Sequence, residues 1–279
     1  MRPAEVARRG AEYLRRHGVE PPAATVESEV LLQRVLGVDR TGLFTREAGL
    51  TTAEAKAYGR ALCRRCTGTP LQHLTGRQGF RRLDLEVRPG VFIPRPETEV
   101  LVDVVLRSIA PLDAPVVVDL CSGGGAVALA IADEHPRAAV YATDVSDEAV
   151  GLARANAERL GLPVTVACGD LFAPLPDELE GTVDVVCANP PYVPRERRDE
   201  LPPEVRADPE LAVFGEPALY ERIFAGARAW LRPGGRVVVE IDDDAGSSVA
   251  AAAVAAGFGD VAVHPDLTGR DRVVSGSRP

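Results

Sequence analysis

Long apolar runs are missing from this chain of 279 residues. No window of about eighteen uninterrupted apolar residues occurs, which excludes a membrane-crossing helix. The opening "MRPAEVARRGAEYLRRHG" carries charges throughout and lacks an apolar centre, so no export signal is expected and the cytoplasm is. Basic excess is missing too. A formal net charge of −9 leaves no electrostatic footprint for duplex nucleic acid. Cysteines are few and odd in number: Cys63, Cys66, Cys121, Cys168 and Cys187 read as reduced thiols, not as a disulfide framework. Cys63 and Cys66 form a C-x-x-C, but no second Cys or His pair stands at ligand spacing, so no metal is expected. Aromatics at 5% and abundant Ala, Arg, Val and Gly name no function. What the chain does have is apolar content, 46%, enough for one large domain or two.

The first seventy or so residues read as helices. "AEVARRGAEYLRRHG" sets Val6, Ala7, Ala11 and Leu14 on one side, and "ESEVLLQRVLG" spaces Val30, Leu31, Val35 and Leu36 helically before Gly37. Thr51 followed by Glu54 is a capping-box pattern. The texture then changes. "GFRRLDLEVRPGVFIP" alternates Leu83, Leu85 and Val87 with charged residues, and Pro89-Gly90 marks a turn, so a hairpin is expected. From Val116 onward strand-like and helix-like segments alternate, ending with the Ala-rich "SSVAAAAVAAG". This predicts an α/β architecture, a parallel sheet with helices on both faces.

Two junctions carry chemistry. The strand "VVVDL" runs into "CSGGGAVALA", where Gly123, Gly124 and Gly125 let backbone approach a ligand and the next helix directs its amino end at it. The stretch also fits the dinucleotide pattern G-x-G-x-x-A. Asp119, however, suits a cationic ligand such as S-adenosylmethionine better than a pyrophosphate. Asp144, ending the second strand, can accept both hydroxyls of a ribose, and Asp170, after the third, can receive an adenine amino group.

The second junction is "VVCANPPYVP". Two prolines cannot donate to a ladder, so the strand must stop at Asn189-Pro190-Pro191-Tyr192, at the end of the sheet where ligands bind. An amide or exocyclic amine nitrogen is a poor nucleophile because its lone pair is delocalised. The Asn189 side-chain oxygen and the Pro190 carbonyl can hold its two N–H groups and aim that lone pair, while Tyr192 offers a stacking face. Catalysis would then come from orientation and a preorganised field rather than from a general base.

On "GTPLQHLTGRQGF", "LDLEVRPGVFIPRPETEVLVD", "VVVDLCSGGGAVALA", "CANPPYVP" and "DLTGRDRVV" the chain resembles the bacterial release factor N(5)-glutamine methyltransferases, the PrmC/HemK family, along nearly its whole length. "IPRPETE" is the most family-specific piece. The resemblance implies a helical docking domain over 1–75, a β-hairpin linker over 76–96 and a Rossmann-like methyltransferase domain over 97–279. It implies S-adenosylmethionine as cofactor and the glutamine of a release factor's Gly-Gly-Gln motif as acceptor, for an enzyme working as a monomer. Carried over by position, the cofactor residues are Asp119, Cys121, Ser122, Gly123, Gly124, Gly125, Asp144, Asp170, Leu171 and Asn189. The residues that grip the glutamine are Asn189, Pro190, Pro191 and Tyr192, with Asn189, Pro190 and Tyr192 catalytic.

The chain departs from the family in three places. Cys121 stands where the family has Gly, and its side chain is expected to fit at a negative φ. In "ADPELAVFGEPALYERIF", Asp208-Pro209 replaces a Glu-Pro, and an Asp-Gly-Leu step is missing or shortened around Gly215-Glu216-Pro217, so a paralogue with another amide acceptor is an alternative to the release-factor reading. The cluster Asp242, Asp243 and Asp244 reads as a solvated loop. Other readings are an amino-methyltransferase of a nucleic-acid base, for which Arg195, Arg197 and Arg198 are a short basic run; a nicotinamide oxidoreductase, which leaves Asn189-Pro190-Pro191-Tyr192 unexplained; and a binding module without catalysis.

Overall fold

Residues 1–279 are described by a computed structural model, save the side chains of Pro203 and Glu204. The chain forms two units, one of 1–77 with 202–207, the other of 78–201 with 208–279.

In the first unit, α1 (Pro3–Arg16), α2 (Pro21–Leu36), α3 (Arg40–Thr45), α4 (Thr52–Cys66) and α5 (Leu71–Thr75) follow one another. Pro3 and Pro21 occupy first helical positions, where a missing N–H is harmless, and Gly37 closes α2 in the left-handed region at φ 65°. Thr51 and Glu54 form the expected reciprocal cap of α4: the Glu54 N–H donates to the Thr51 hydroxyl and the Thr51 N–H to the Glu54 carboxylate. Leu14, Leu31, Leu32, Leu43, Tyr58 and Leu62 make the core. Each fully buried leucine contributes about 1.5–3 kcal/mol.

The second unit holds a hairpin, β1 (Arg77–Phe80) with β2 (Leu83–Glu86), then α6 (Glu99–Ile109), β3 (Val116–Leu120), α7 (Ala126–Glu134), β4 (Ala139–Asp144), α8 (Asp147–Leu160), β5 (Val164–Cys168) and β6 (Val183–Ala188). The short α9 (Pro203–Arg206) groups with the first unit; α10 (Glu210–Val213), α11 (Ala218–Trp230), β7 (Leu231–Glu240), α12 (Gly246–Ala255), β8 (Gly259–Pro265) and β9 (Asp271–Ser277) complete the second. The hairpin turns at Arg81-Arg82, not at Pro89-Gly90. Arg81 takes φ 50° and is held there by its N–H on the Glu99 carboxylate and by ion pairs to Asp103 and Glu134.

The sheet runs β5-β4-β3-β6-β7-β9-β8. β3 to β7 are parallel, but β9 is antiparallel to β7 and β8 to β9. The sheet is therefore mixed, where the alternation predicted a parallel one. Side chains alternate across it. Val117, Val185, Cys187 and Val238 pack in one layer with Leu101, Val105 and Leu129, while Val118, Leu120, Val186 and Val239 pack in the other with Ile223, Phe224 and Val249. Among the described residues no helix is long and apolar enough to cross a membrane.

Candidate active site

Strand register gathers the two junctions. Leu120 of β3 pairs with Ala188 of β6 on one side and Thr143 of β4 on the other, and Ala188 pairs with Val239 of β7. Four strands thus end level, and the next residues, Cys121, Asp144, Asn189 and Glu240, share one edge. β3 and β6 are also where the chain order reverses, the crevice in which open α/β sheets bind ligands.

The first loop is built mainly from backbone. Gly123 and Gly125 take φ 54° and 85°, and Gly125 leads into α7. A Cβ on Gly123 would meet nothing within 4 Å, so its backbone faces open space. Asp144 accepts the Gly123 N–H at 2.8 Å through one oxygen and the Ser146 N–H at 2.9 Å through the other, leaving a lone pair on each. The Ser122 N–H donates to the Thr143 carbonyl at 3.1 Å, while the buried Ser122 hydroxyl has no partner. Cys121 stands at φ 55°, contrary to the negative angle expected. A non-glycine residue there stores roughly 1–2 kcal/mol of strain. Burial, with the charges of Asp144 and Asp119, pushes its thiol up to about 12, so it is no nucleophile. Leu171 is also left-handed, at φ 47°, its carbonyl accepting the Thr143 hydroxyl at 2.8 Å. Of the four non-glycine positive-φ residues among the described residues, two flank this crevice, a pattern of strain typical of ligand sites.

Asp119 lies one layer below the loop, only 1% exposed. Its carboxyl accepts the Ala128 N–H at 3.1 Å and the Cys187 thiol at 3.7 Å, and burial raises its pKa to about 7. Asp170 is exposed and ion-paired with Arg222.

The second loop is rigid by other means. Pro190 is buried, and Tyr192 is half-buried against the layer that holds Ile223, Phe224 and Val249. Val193 and Phe214 form a parallel bridge, the Val193 N–H reaching the Val213 carbonyl and the Gly215 N–H the Val193 carbonyl, both at 3.1 Å. A Cβ on Gly215 would stand 1.8 Å from the Pro191 carbonyl oxygen, so only glycine fits. The segment that departs from the family pattern therefore braces the Asn189–Tyr192 loop. Asp208, with a buried side chain, accepts the Ile93 N–H at 3.2 Å and pairs with Arg95, tying "IPRP" to the same segment; burial, against the Arg95 charge, raises its carboxyl to about 6.

Three residues escaped the sequence reading. Asn156 on α8 clasps the first loop, donating to the Gly124 carbonyl at 3.2 Å and exchanging hydrogen bonds with the Glu86 backbone. Thr98 accepts the Asn189 amide N–H at 3.2 Å. Glu240, 2% exposed, follows the apolar run Val237–Val239 at the end of β7; that lone acid was the one signal in the sequence. The basic run is already paired: Arg195 and Arg198 with Glu210, and Arg197 with Asp242. Asp242 and Asp243 in turn meet Arg197 and Arg270.

Residues 5–76 match the PrmC N-terminal domain and residues 83–201 the Methyltransferase small domain. A release factor glutamine methyltransferase of Moorella thermoacetica is 43% identical over 263 residues, 91% of each chain. One from Mycolicibacterium smegmatis is 44% identical over 267 residues, 94% of this chain and 92% of that one. Among solved structures, a 16S rRNA methyltransferase of T. thermophilus shares the fold, with a TM-score of 0.54 and 18% identity over 73% of this chain and 50% of that one.

Proposed function

The chain belongs to the release factor glutamine methyltransferases, and from that premise we propose how its residues perform the reaction. The enzyme moves a methyl group from S-adenosylmethionine to the side-chain amide nitrogen of a protein glutamine. When bound, S-adenosylmethionine supplies a methyl group on a cationic sulfur. The crevice fits that cofactor: the Ser122 hydroxyl is unpartnered, Gly123 is open, and Asp144 keeps acceptor capacity for a ribose. Cys121, Gly124 and Gly125 shape the loop, and Asp170 and Leu171 stand at the adenine end. Asp119, held near neutrality by burial, is drawn to its ionised form by a cation above it.

Asn189 Oδ1 and the Pro190 carbonyl accept the two N–H groups of the acceptor amide and turn its lone pair toward the methyl. Pro191 stiffens that carbonyl, and Tyr192 flanks the amide plane. The observation that carries this reading is the orientation of Asn189: its amino end is bound to Thr98, which frees its oxygen. No general base is needed, because the amide proton is acidic once nitrogen carries the methyl and leaves to water.

The acceptor in this reading is a release factor, docked by the helical unit to a monomeric enzyme in the reducing cytoplasm. Five free cysteines and a net charge of −9 support that compartment and a protein rather than nucleic-acid acceptor. Incubation with methyl-labelled cofactor and purified release factor, followed by peptide mass spectrometry, tests it. Label on the Gly-Gly-Gln glutamine is expected; label only on RNA or on another protein of a cell extract overturns it.

A further inference from the structure

Asn189 is a planar amide with two unlike ends, and only one of its two flips offers an acceptor to an incoming NH₂ group. In the other flip, NH₂ would face NH₂. Something must choose between them. The Asn189 Nδ2 donates to Thr98 Oγ1, but a hydroxyl can donate as readily as accept, so Thr98 alone does not discriminate. Its own surroundings do. Thr98 immediately precedes α6 at helical angles, φ −63° and ψ −16°, so its hydroxyl is not spent on a capping bond, and it is 4% exposed. Glu240 follows Val239 as Asn189 follows its partner Ala188, so the two stand on neighbouring strand ends; the Glu240 Oε2 is buried without a partner, and Thr98 and Asn189 both act on its carboxyl to lower its pKa. An ionised carboxylate only accepts. In that position it would accept the Thr98 proton, leave the hydroxyl's lone pairs for Asn189 and repel the amide oxygen.

We propose that Thr98 and Glu240 are positioning residues that lock the Asn189 amide with its oxygen toward the acceptor glutamine. This rests on the role given to Asn189 above. Four groups surround the carboxylate: Glu97 beside Thr98, Arg272 of β9, Tyr192 after Asn189, and Tyr220 of α11, whose hydroxyl donates to the Glu240 main-chain carbonyl at 2.9 Å. Burial brings Glu240 to about 7, with Thr98, Arg272 and Asn189 opposing and Glu97 reinforcing the rise. Protonation would let Glu240 donate, and the lock would lose its polarity.

The test compares Thr98→Val, Thr98→Ser, Glu240→Gln and Asn189→Ala in the full-length enzyme. It reads kcat at saturating cofactor and acceptor, cofactor affinity by calorimetry, and thermal midpoint. Expected for Thr98→Val is a fall in kcat of about tenfold or more, the loss of one hydrogen bond's worth of orientation, with cofactor affinity within about threefold. Thr98→Ser should restore most of it. In Glu240→Gln the rise of kcat through pH about 7 should vanish and the rate stay at the low level. The inference is overturned if Thr98→Val turns over like the parent, if Ser is as poor as Val, or if Glu240→Gln keeps the parent's pH profile. An active Asn189→Ala instead overturns the reading of the site beneath it.

Discussion

The two loops of the crevice reach rigidity by opposite routes. The first, around Gly123, is shaped by what is absent: side chains are missing where backbone must face a ligand, and Asp144, Thr143 and Asn156 hold the N–H and C=O groups in place. The second, from Asn189 to Tyr192, is shaped by what is present: two prolines, a packed tyrosine, and Gly215 pressed onto the Pro191 carbonyl. In the proposed reading the first loop cradles the cofactor largely through its backbone. In that reading the second presents two oxygens whose direction orients the acceptor amide, so a small displacement is expensive.

Substitutions can break that contrast. The largest effect belongs to Asn189→Ala, which should lower kcat by about a thousandfold while cofactor affinity stays within about threefold. Equal loss in both, measured by steady-state rates and calorimetry, would assign Asn189 to the cofactor or the fold. Next is Gly215→Ala, whose Cβ must displace the Pro191 carbonyl. A stability loss of about 1–3 kcal/mol by denaturant titration and a clear fall in kcat are expected, and an unaffected rate would show that the brace does not aim the loop. Asp144→Ala, in the first loop, should leave kcat near normal and weaken the cofactor by about 1–3 kcal/mol. Unchanged titration calorimetry would remove Asp144 from the site.

The gentlest probe is pH. Asp119, Glu240 and Asp208 have folded-state pKa values raised by burial, to about 7, 7 and 6. Raised acids favour the fold below their unfolded values near 4, and that contribution is lost as pH rises through the folded ones. Asp266, lowered to about 2, works the other way, losing its contribution below about 4. The thermal midpoint should therefore climb modestly from pH 8 to about 4 and fall in stronger acid. Cofactor affinity should move oppositely, rising through pH about 7 as Asp119 ionises. Asp119→Asn should flatten that rise, and a profile unchanged by it would separate Asp119 from the cofactor.

Much of this was legible in the chain. The glycine loop, the terminating prolines and the Thr51–Glu54 cap are local signals, each set by its own dihedral or hydrogen-bond demands. The misread features were set at a distance. Pro89-Gly90 is the stronger turn signal, yet the hairpin closes at Arg81 because Glu99, Asp103 and Glu134 hold it there. The antiparallel β8–β9 pair changes direction without altering strand composition. Cys121 holds a positive φ, which its residue type does not signal. Thr98 was inside the quoted "IPRPETE" without a role, since its meaning depends on Asn189 and Glu240, far along the chain.

Ala188 pairs with Leu120 and Val239 at once, so β6 has neighbours counting its residues on both flanks. Adding or deleting one residue there would turn Asn189 to the opposite face of the sheet and exchange the buried side chains of β6 between the two core layers, so site and fold would be lost together. Attempts to retarget the enzyme to a new acceptor should accordingly leave the length of β6 alone and vary the stretch beyond Tyr192, which braces the loop without setting its phase.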